Sequence, residues 1–164
     1  MAQIVIALSK AHDVKNFDCG SEALNTWLRE IASQHLKKML SGVYALVDEA
    51  APEKILGFYV VAIRGLTPID ELPAMLQRRL PANVPSLTLG RLAVAKEMQG
   101  QGWGECLLAH AMRRIRQVAD SVGGVLMFVD AKDVGAAAFY AKYGFSPMPS
   151  DPLRLVKPIA EIPG

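Results

Sequence analysis

Leu89-Gly-Arg-Leu-Ala-Val-Ala-Lys-Glu-Met-Gln-Gly-Gln-Gly-Trp-Gly104 is the segment that says most about how this chain folds. Its first half belongs to the apolar run Leu87 to Ala95, which predicts a strand, and its second half is a glycine-rich turn. An amphipathic helix is predicted to begin near Trp103. The first N–H groups of a helix have no partner inside it and lie at the positive end of its dipole. A glycine turn leading into such groups predicts a phosphate-binding site.

Three kinds of phosphate-binding loop are compatible with a strand, a glycine turn and a helix. A Walker loop requires Gly-x-x-x-x-Gly-Lys-Ser/Thr, and neither Lys-Ser nor Lys-Thr follows these glycines. A dinucleotide fingerprint requires Gly-x-Gly-x-x-Gly, but Glu105 occupies the third glycine position after Gly100 and Gly102. The spacing Gln99-x-x-Gly102-x-Gly104 fits a third loop. A tight turn that binds no ligand would have a similar sequence.

The third spacing resembles the acetyl-coenzyme A (acetyl-CoA) loop of the GNAT superfamily of N-acetyltransferases. The resemblance implies that acetyl-CoA is the co-substrate, that the loop amides bind its pyrophosphate, and that the preceding strand pairs with its pantetheine arm. The cofactor-binding residues it implies in this part of the chain are Leu92, Ala93, Val94, Gln99, Gly100, Gln101, Gly102, Trp103, Gly104 and Glu105.

A second segment, Asp133-Val-Gly-Ala-Ala-Ala-Phe-Tyr140-Ala-Lys-Tyr-Gly-Phe145, follows the apolar run Val125 to Val129. It resembles the last helix and strand of the same superfamily. The resemblance implies that Tyr140, five residues before Phe145, is the tyrosine acid. It adds three cofactor-binding residues, Asp133, Ala137 and Phe139. The alternative is that the two tyrosines of this helix, Tyr140 and Tyr143, are core aromatics, since residues three apart share one helix face.

Length and composition predict one globular domain, residues 1–164. The chain has 51% hydrophobic and 21% charged residues and a net charge of +2, which excludes wholesale disorder. No apolar run approaches the roughly 20 residues that cross a bilayer, and the N-terminus lacks a signal-peptide pattern, so we expect a cytoplasmic enzyme without a membrane partner.

Cysteine and histidine positions predict no metal site. Cys19 and Cys106 have no pair spacing, and Cys106 is expected in the core on an apolar helix face, with Cys19 a free thiol in a turn. The three histidines, His12, His35 and His110, are scattered without a carboxylate or cysteine at ligand spacing.

Hydrophobic periodicity predicts the order β-α-β-β-α-β-α-β-α-β, an α/β fold. By resemblance it is a GNAT-like α/β sandwich around one central mixed, mostly antiparallel sheet. Gln3 to Leu8 is the predicted edge strand, and Gly123-Gly124 the end of the helix that begins near Trp103. The other predicted elements are a helix from Ser21 to about Leu40, strands at Val43 to Asp48 and Ile55 to Ile63, and a short helix at Asp70 to Leu80.

Acetyl transfer needs a polarised carbonyl, a neutral amine and a proton for the departing thiolate. By resemblance, the Val94 amide polarises the carbonyl. A phenol with a pKa near 10 is protonated at neutral pH, which suits Tyr140 as the acid. Many superfamily members carry a glutamate base on the central strand, but Ser86 to Val94 contains no carboxylate. Such a site suits an amine of low pKa, such as an α-amine, unless a base or water chain elsewhere takes its proton.

A closer resemblance implies a particular α-amine as the acceptor. Phe17-Asp-Cys-Gly-Ser-Glu-Ala-Leu-Asn-Thr-Trp-Leu28 resembles the opening of the GNAT toxins of type II toxin–antitoxin modules, and the likeness to the superfamily runs from Phe17 to about Lys157. These toxins acetylate the α-amine of aminoacyl-tRNA, which blocks translation, and a ribbon-helix-helix antitoxin neutralises them. The resemblance therefore implies aminoacyl-tRNA as substrate and such an antitoxin as partner.

A tRNA substrate requires basic residues that reach phosphates. The candidates are Arg91, Lys37, Lys38, Arg78, Arg79, Arg113, Arg114 and Arg116. The alternative for each is an ordinary solvated face. Two other functions remain open: acetylation of a small-molecule or protein amine, with Asp70 and Glu71 as the nearby acids, and a CoA-binding regulatory module. A homodimer through the Trp27 helix or the Leu66 to Leu80 region is also possible.

Overall fold

A computed structural model describes residues 2–164 of the chain. These residues form seven strands and four α-helices. The strands are β1 (Gln3–Ala7), β2 (Gly42–Asp48), β3 (Gly57–Pro68), β4 (Asn83–Val94), β5 (Leu126–Asp130), β6 (Ser146–Met148) and β7 (Asp151–Pro158). The α-helices are α1 (Glu22–Thr26), α2 (Ala32–Lys37), α3 (Trp103–Val122) and α4 (Val134–Ala141).

The strands form a seven-stranded sheet in the order β1-β2-β3-β4-β5-β7-β6, so β1 is an edge strand as predicted. Pairing is antiparallel for β1 with β2, β2 with β3, β5 with β7 and β6 with β7, and it is parallel for β4 with β5. The prediction of an α/β fold around a mixed, mostly antiparallel sheet is therefore confirmed.

The chain divides into two compact units, and β3, β4 and α3 contribute residues to both. Unit 1 consists of Met1–Ala62 and Arg91–Ala111, and unit 2 of Ile63–Gly90 and Met112–Gly164. No helix within residues 2–164 is long and apolar enough to cross a membrane.

Unit 1 is built around an aromatic core. Trp27 and Phe58 stack with their ring centroids 6.2 Å apart, and Phe17 meets Phe58 edge-on at 5.5 Å. At Gly57 the backbone of β3 comes so close to β4 that a Cβ would lie 2.9 Å from the Ala93 carbonyl oxygen. Only glycine permits this approach, so the start of β3 fixes the end of β4, which leads into the glycine turn.

Unit 2 has its own core, in which β-strand residues pack with the segment between β3 and β4. Buried members include Leu72 and Val84 of unit 2's first stretch and Leu126, Phe128 and Val156 of β5 and β7. The end of α3 is marked by Gly123 and Gly124, whose φ angles are 91° and 154°, as the predicted helix stop requires.

The first predicted helix is interrupted. Ser21 caps α1 by accepting the Leu24 N–H, as its sequence position indicates, but Trp27–Ile31 forms a π-helical turn before α2 begins. Such turns carry one extra residue and are frequent at functional sites. The helix ends at Lys37 rather than near Leu40.

The predicted helix at Asp70 to Leu80 is wrong. The segment holds two short 3₁₀ turns, Ile69–Glu71 and Ala74–Leu76, with Pro73 between them. A proline lacks an N–H group and disfavours a helical residue before it, so the helical spacing of apolar residues cannot become a continuous helix here. The predicted element order is wrong at this place and at the end of the chain, where β6 and β7 give one strand more than expected.

Candidate active site

The glycine turn of unit 1 leads from β4 into α3 through a 3₁₀ turn, Lys96–Met98. Gly100 and Gly102 have φ angles of 76° and 87°, which L side chains rarely adopt, and a Cβ on either would meet no atom within 4 Å. Backbone dihedrals rather than crowding therefore require these glycines. Cys106 N–H donates to the Gly102 carbonyl at 3.2 Å, which makes Gly102 the N-cap residue just before α3 begins at Trp103.

Turn residues that the sequence assigns to a cofactor lie at the surface. Gly100, Gln101, Gly102 and Glu105 are exposed, and Trp103 and Gly104 are half-buried. The 20-residue helix α3 therefore presents its first N–H groups, at the positive end of its dipole, next to an open glycine backbone. This arrangement has the chemistry that a diphosphate requires.

The Gln99 side chain, in contrast, forms hydrogen bonds within the protein. Its Nε2 donates to the Cys19 carbonyl at 2.8 Å and to the Val94 carbonyl at 2.9 Å. A primary amide has two N–H groups, and these two bonds use both. Gln99 can therefore offer a cofactor its backbone but not its side-chain donors.

The end of β4 alternates between the core and the surface. Ala93 is buried, whereas Leu92 and Val94 on the opposite face are half-buried. The next residue, Ala95, donates its N–H to the Leu56 carbonyl at 2.9 Å. The strand that is expected to pair with the pantetheine arm is thus held on its inner side by the start of β3.

Arg91, also on β4, lies against the π-helical turn. Its guanidinium carbon is 4.4 Å from the centroid of the Trp27 ring, a cation–π contact. Burial lowers the pKa of this guanidinium from its ordinary value. The structure thus places Arg91 as a packed side chain that is still partly accessible, which is compatible with either of its two interpretations.

Unit 2 holds Tyr140, on a short helix whose start is well defined. Asp133 caps α4 by accepting the Ala136 N–H at 2.8 Å, while Ala137 donates its N–H to the Asp133 carbonyl at 3.0 Å. The predicted cofactor residue Asp133 therefore already has a local role for its carboxylate. Ala137 and Phe139 are half-buried.

Tyr140 is 7% exposed, between aromatic rings. Its ring centroid lies 5.3 Å from that of Phe139 and 6.0 Å from that of Phe145. Burial, and then the negative charge of Asp130, raise the pKa of Tyr140 to about 12. The phenol is therefore more firmly protonated than a free tyrosine, and it is also the packed aromatic that the alternative interpretation described.

Next to Tyr140 the structure reveals a charge cluster that the sequence did not indicate. Arg154 Nε donates to Asp130 Oδ1 at 3.0 Å, and Arg64 Nη1 lies 3.9 Å from Asp130 Oδ2. The Arg64 guanidinium also lies 4.3 Å from the centroid of the Phe128 ring. Burial and the neighbouring charge of Arg154 lower the pKa of Arg64. Both arginines line a pocket of about 180 Å³ in unit 2.

The cluster depends on pairing between distant strands. Asp130 and Arg154 are opposite each other in β5 and β7, 24 residues apart in sequence. The only local signal is a carboxylate at the end of a buried strand. Glu71, which the sequence offered as an acid for an acceptor amine, is exposed and lines the same pocket, and Asp70 is exposed as well.

Most of the remaining basic candidates are exposed, but Arg114 and Arg116 are half-buried. Lys37 and Lys38 are exposed at the end of α2, and Arg78 and Arg79 are exposed in the loop before β4. Arg116 has a structural role, because its Nη1 donates to the Ile162 carbonyl at 2.7 Å.

The cysteine predictions are partly wrong. Cys106 is exposed, not in the core, because it lies in the first turn of α3 and the buried stripe begins one residue later at Leu107. Cys19 is a free thiol in a turn but is buried. Within residues 2–164 no group of three or more metal-binding side chains occurs. His110 instead shares a 2.7 Å hydrogen bond with the hydroxyl of Tyr59, a pair that the sequence did not reveal.

Residues 41–147 match the family model described as an acetyltransferase (GNAT) domain. The chain is 35% identical over 149 residues to the tRNA-acetylating toxin of Mycobacterium tuberculosis (strain ATCC 25618 / H37Rv), a match that covers 91% of this chain and 87% of that protein. AtaT complexed with acetyl-methionyl-tRNAfMet has a TM-score of 0.90 at 32% identity, covering 98% of this chain and 97% of that one.

A third similar structure is a mutant of the AtaT toxin bound to the C-terminus of the antitoxin AtaR and to acetyl-CoA. Its TM-score is 0.82 at 31% identity, with 98% of this chain and 95% of that chain covered. These similarities extend over both units and include the glycine turn and the Tyr140 helix.

Proposed function

Because the chain belongs to the GNAT family of acetyltransferases, we propose that it transfers the acetyl group of acetyl-CoA to the α-amine of an aminoacyl-tRNA and so blocks translation. The observation that carries this proposal is the similarity, at 35% identity over 91% of the chain, to a tRNA-acetylating toxin. The toxin-like opening Phe17 to Leu28 lies within that similarity. Action on charged tRNA implies a cytoplasmic location.

In this proposal the glycine turn binds acetyl-CoA. The amides from Gly100 to Glu105 bind the pyrophosphate, and the β4 residues Leu92 to Val94 hold the pantetheine arm. The exposed glycine backbone and the helix N-terminus support this assignment. The residues present therefore fit the co-substrate.

In the reaction, the neutral α-amine attacks the carbonyl carbon of the thioester. A bond forms between nitrogen and carbon, the carbon–sulfur bond breaks, and the thiolate takes a proton from the Tyr140 hydroxyl. The nitrogen loses its extra proton to solvent, and solvent returns a proton to Tyr140. A phenol with a pKa of about 12 is fully protonated at neutral pH, which supports its role as the acid.

An α-amine suits a site without a carboxylate on its central strand. Its unperturbed pKa of roughly 7.7–8.0 leaves a sizeable neutral fraction at neutral pH, whereas a lysine amine near 10.4 is almost entirely protonated. Since Ser86 to Val94 contains no carboxylate that could act as a general base, an amine that is already partly neutral is the acceptor that least requires deprotonation by the enzyme. This argument favours the α-amine over a lysine side chain.

RNA binding is assigned to local cations rather than to net charge. Arg91, the exposed pairs Lys37/Lys38 and Arg78/Arg79, and the newly found Arg64 and Arg154 are the candidates. Each phosphate contact contributes to the salt dependence of binding, so loss of one contact reduces the salt slope by about 1. A ribbon-helix-helix antitoxin is the proposed protein partner, and a homodimer is the proposed assembly.

The decisive test offers the purified protein acetyl-CoA and a total pool of charged tRNA, and then measures acetylated aminoacyl-adenosine by mass spectrometry after nuclease digestion. We expect acetylation by the wild-type protein and a large loss in Tyr140→Phe. Turnover of a free small amine or a protein lysine, with charged tRNA left unmodified, would replace this proposal with the alternative acetyltransferase function. Binding of acetyl-CoA without transfer to any acceptor would indicate a regulatory module.

A further inference from the structure

The turn formed by Asp18, Cys19 and Gly20 packs directly against the chain that leads into the glycine turn. Lys96 donates its N–H to the Asp18 carbonyl at 2.9 Å, and the Gln99 side chain donates to the Cys19 carbonyl at 2.8 Å. All of these residues belong to unit 1. The turn lies in the toxin-like opening of the sequence, Phe17 to Leu28.

Gln99 joins three pieces of backbone. Its backbone begins the glycine turn, its side chain bonds the last carbonyl of β4 at Val94, and its second N–H reaches Cys19, 80 residues away in sequence. The side chain therefore limits how far Gly100 and the amides after it can move away from β4. A flexible glycine turn needs such a restraint, because each glycine has many backbone conformations available.

Asn25 fixes the other side of the same turn. It is 5% exposed, its Oδ1 accepts the Cys19 N–H at 2.9 Å, and its Nδ2 donates to Asp18 Oδ1 at 3.0 Å. Asp18 Oδ1 also accepts the Gly20 N–H at 2.9 Å, and its Oδ2 lies 3.3 Å from Lys96 Nζ. Several charge-assisted hydrogen bonds lower the pKa of Asp18, so this carboxylate stays ionised.

We propose that Asn25 and Gln99 are positioning residues for acetyl-CoA, which act through the Asp18–Gly20 turn to hold the amides of the glycine turn ready for the diphosphate. Asn25 sets the turn, the Cys19 carbonyl receives Gln99, and Gln99 holds the start of the glycine turn against β4. The inference rests on the family's use of acetyl-CoA and is independent of the acceptor that the enzyme uses.

Pre-organisation predicts a specific kinetic pattern. In a variant that lacks the restraint, the glycine turn must become ordered when acetyl-CoA binds. The affinity for acetyl-CoA therefore falls, but the bound complex reacts as it does in the wild type. Loss of one such hydrogen bond corresponds to a change of about tenfold in an equilibrium constant. Loss of a merely structural bond would lower the melting temperature without changing the affinity for acetyl-CoA specifically.

The experiment measures the dissociation constant of CoA by calorimetry for Gln99→Met and Asn25→Asp. Methionine keeps the length of the side chain and removes both donors, and aspartate keeps the acceptor for Cys19 N–H but places a second carboxylate beside Asp18. We expect the dissociation constant and the KM for acetyl-CoA to rise about tenfold in each variant. We expect kcat at saturating acetyl-CoA, and the KM for the acceptor, to stay within twofold.

Two matched controls use residues outside the turn. Gln77→Met removes a glutamine whose Nε2 donates to the Leu72 carbonyl at 2.9 Å, and Asn16→Asp changes an asparagine that donates to Asp13 at 2.6 Å. Gln77→Met should bind CoA as the wild type does, whatever its melting temperature; Asn16→Asp, two residues before Asp18, controls only for a new carboxylate near the turn. Equal loss of affinity in a control and its partner would overturn the proposal.

Hydrogen exchange gives a second measurement that needs no activity. In the free protein, the amides of residues 100–104 should exchange faster in Gln99→Met than in the wild type, while those in the middle of α3 should be unchanged. Unchanged exchange together with unchanged CoA affinity would contradict a positioning role. Since neither measurement involves an acceptor, a failure here is distinct from a failure to acetylate tRNA.

Discussion

The glycine turn of unit 1 and the surroundings of Tyr140 in unit 2 are built in opposite ways. The turn exposes its backbone, and a polar network on one flank holds it, whereas Tyr140 is enclosed by aromatic rings and is 7% exposed. A diphosphate needs open amides, while an acid that must keep its proton needs shielding from water. The glycine turn should therefore lose its function when its backbone geometry changes, and the Tyr140 region when a single atom, the hydroxyl oxygen, is removed.

The largest expected effect comes from removing the hydroxyl oxygen of Tyr140. Tyr140→Phe removes the hydroxyl and leaves the ring in its aromatic contacts, so kcat should fall by about 10²–10⁴-fold with little change in the KM for acetyl-CoA. Initial rates of acetylation at saturating substrates measure this. Tyr143→Phe, three residues further along the chain and just after α4, is the control and should keep most of the activity. A similar loss in both variants would mean that packing, not proton transfer, explains Tyr140.

The raised pKa of Tyr140 makes a prediction for stability at alkaline pH. The folded protein holds this proton up to about pH 12, and the unfolded chain releases it near pH 10. The folded state therefore binds more protons between these values, and its stability falls as pH rises through that window. The loss attributable to Tyr140 should approach about 2–3 kcal/mol near pH 12.

Urea unfolding at pH 9 and pH 11 checks this loss by comparing the wild type with Tyr140→Phe. The difference between the two free energies of unfolding should shift with pH in favour of the variant. Asp130→Asn removes the smaller of the two causes, so it should lower the pKa of Tyr140 and diminish the shift. A constant difference from pH 9 to pH 11 would contradict the shielded environment of Tyr140.

A smaller effect tests backbone geometry. Gly102→Ala places a Cβ on a residue with φ of 87°, which costs about 1–2 kcal/mol unless the turn changes shape. We expect the turn to change shape, so the KM for acetyl-CoA should rise more than kcat falls. Gly90→Ala is the control, because that Cβ meets no atom within 4 Å and Gly90 has no positive φ. Unchanged CoA affinity in Gly102→Ala would contradict the claim that cofactor binding depends on the backbone geometry of the glycine turn.

The smallest effect separates the two roles of Asp133. Asp133→Ala loses the helix cap and should cost about 1 kcal/mol of stability. Asp133→Ser keeps a capping oxygen, so it should restore the stability, as measured by thermal unfolding. If Asp133→Ser is stable but binds CoA more weakly than the wild type, the carboxylate contacts the cofactor. If its affinity is normal, the predicted cofactor role is reduced to capping.

The sequence predicted those parts of the fold whose determinants are local. The strand, glycine turn and helix of β4 and α3 follow from apolar periodicity and from dihedral angles that only glycine accepts readily. The helix that carries Tyr140 also lies where the second motif placed it, whereas the capping role of Asp133 was not predicted. The site residues themselves were assigned by resemblance to the family motifs, and their roles stay predictions.

The features that the sequence missed depend on distant pairings or on one exception to a local rule. Asp130 and Arg154 meet only because β5 and β7 pair in one register, and Tyr59 meets His110 across 51 residues. Pro73 prevents a continuous helix in a segment whose apolar residues have helical spacing. Cys106 was misplaced by one position on α3, which is about 100° of rotation and moves a side chain from core to solvent.

The π-helical turn at Trp27–Ile31 makes the length of this segment as important as its composition. An α-helix advances about 100° per residue, so deletion of one residue there would restore regular winding but rotate everything on one side of it by that angle. Either the Trp27 ring would leave Arg91, or Ala32, fully buried at the start of α2, would turn outward. A single-codon deletion in this stretch should therefore be far less tolerated than most substitutions.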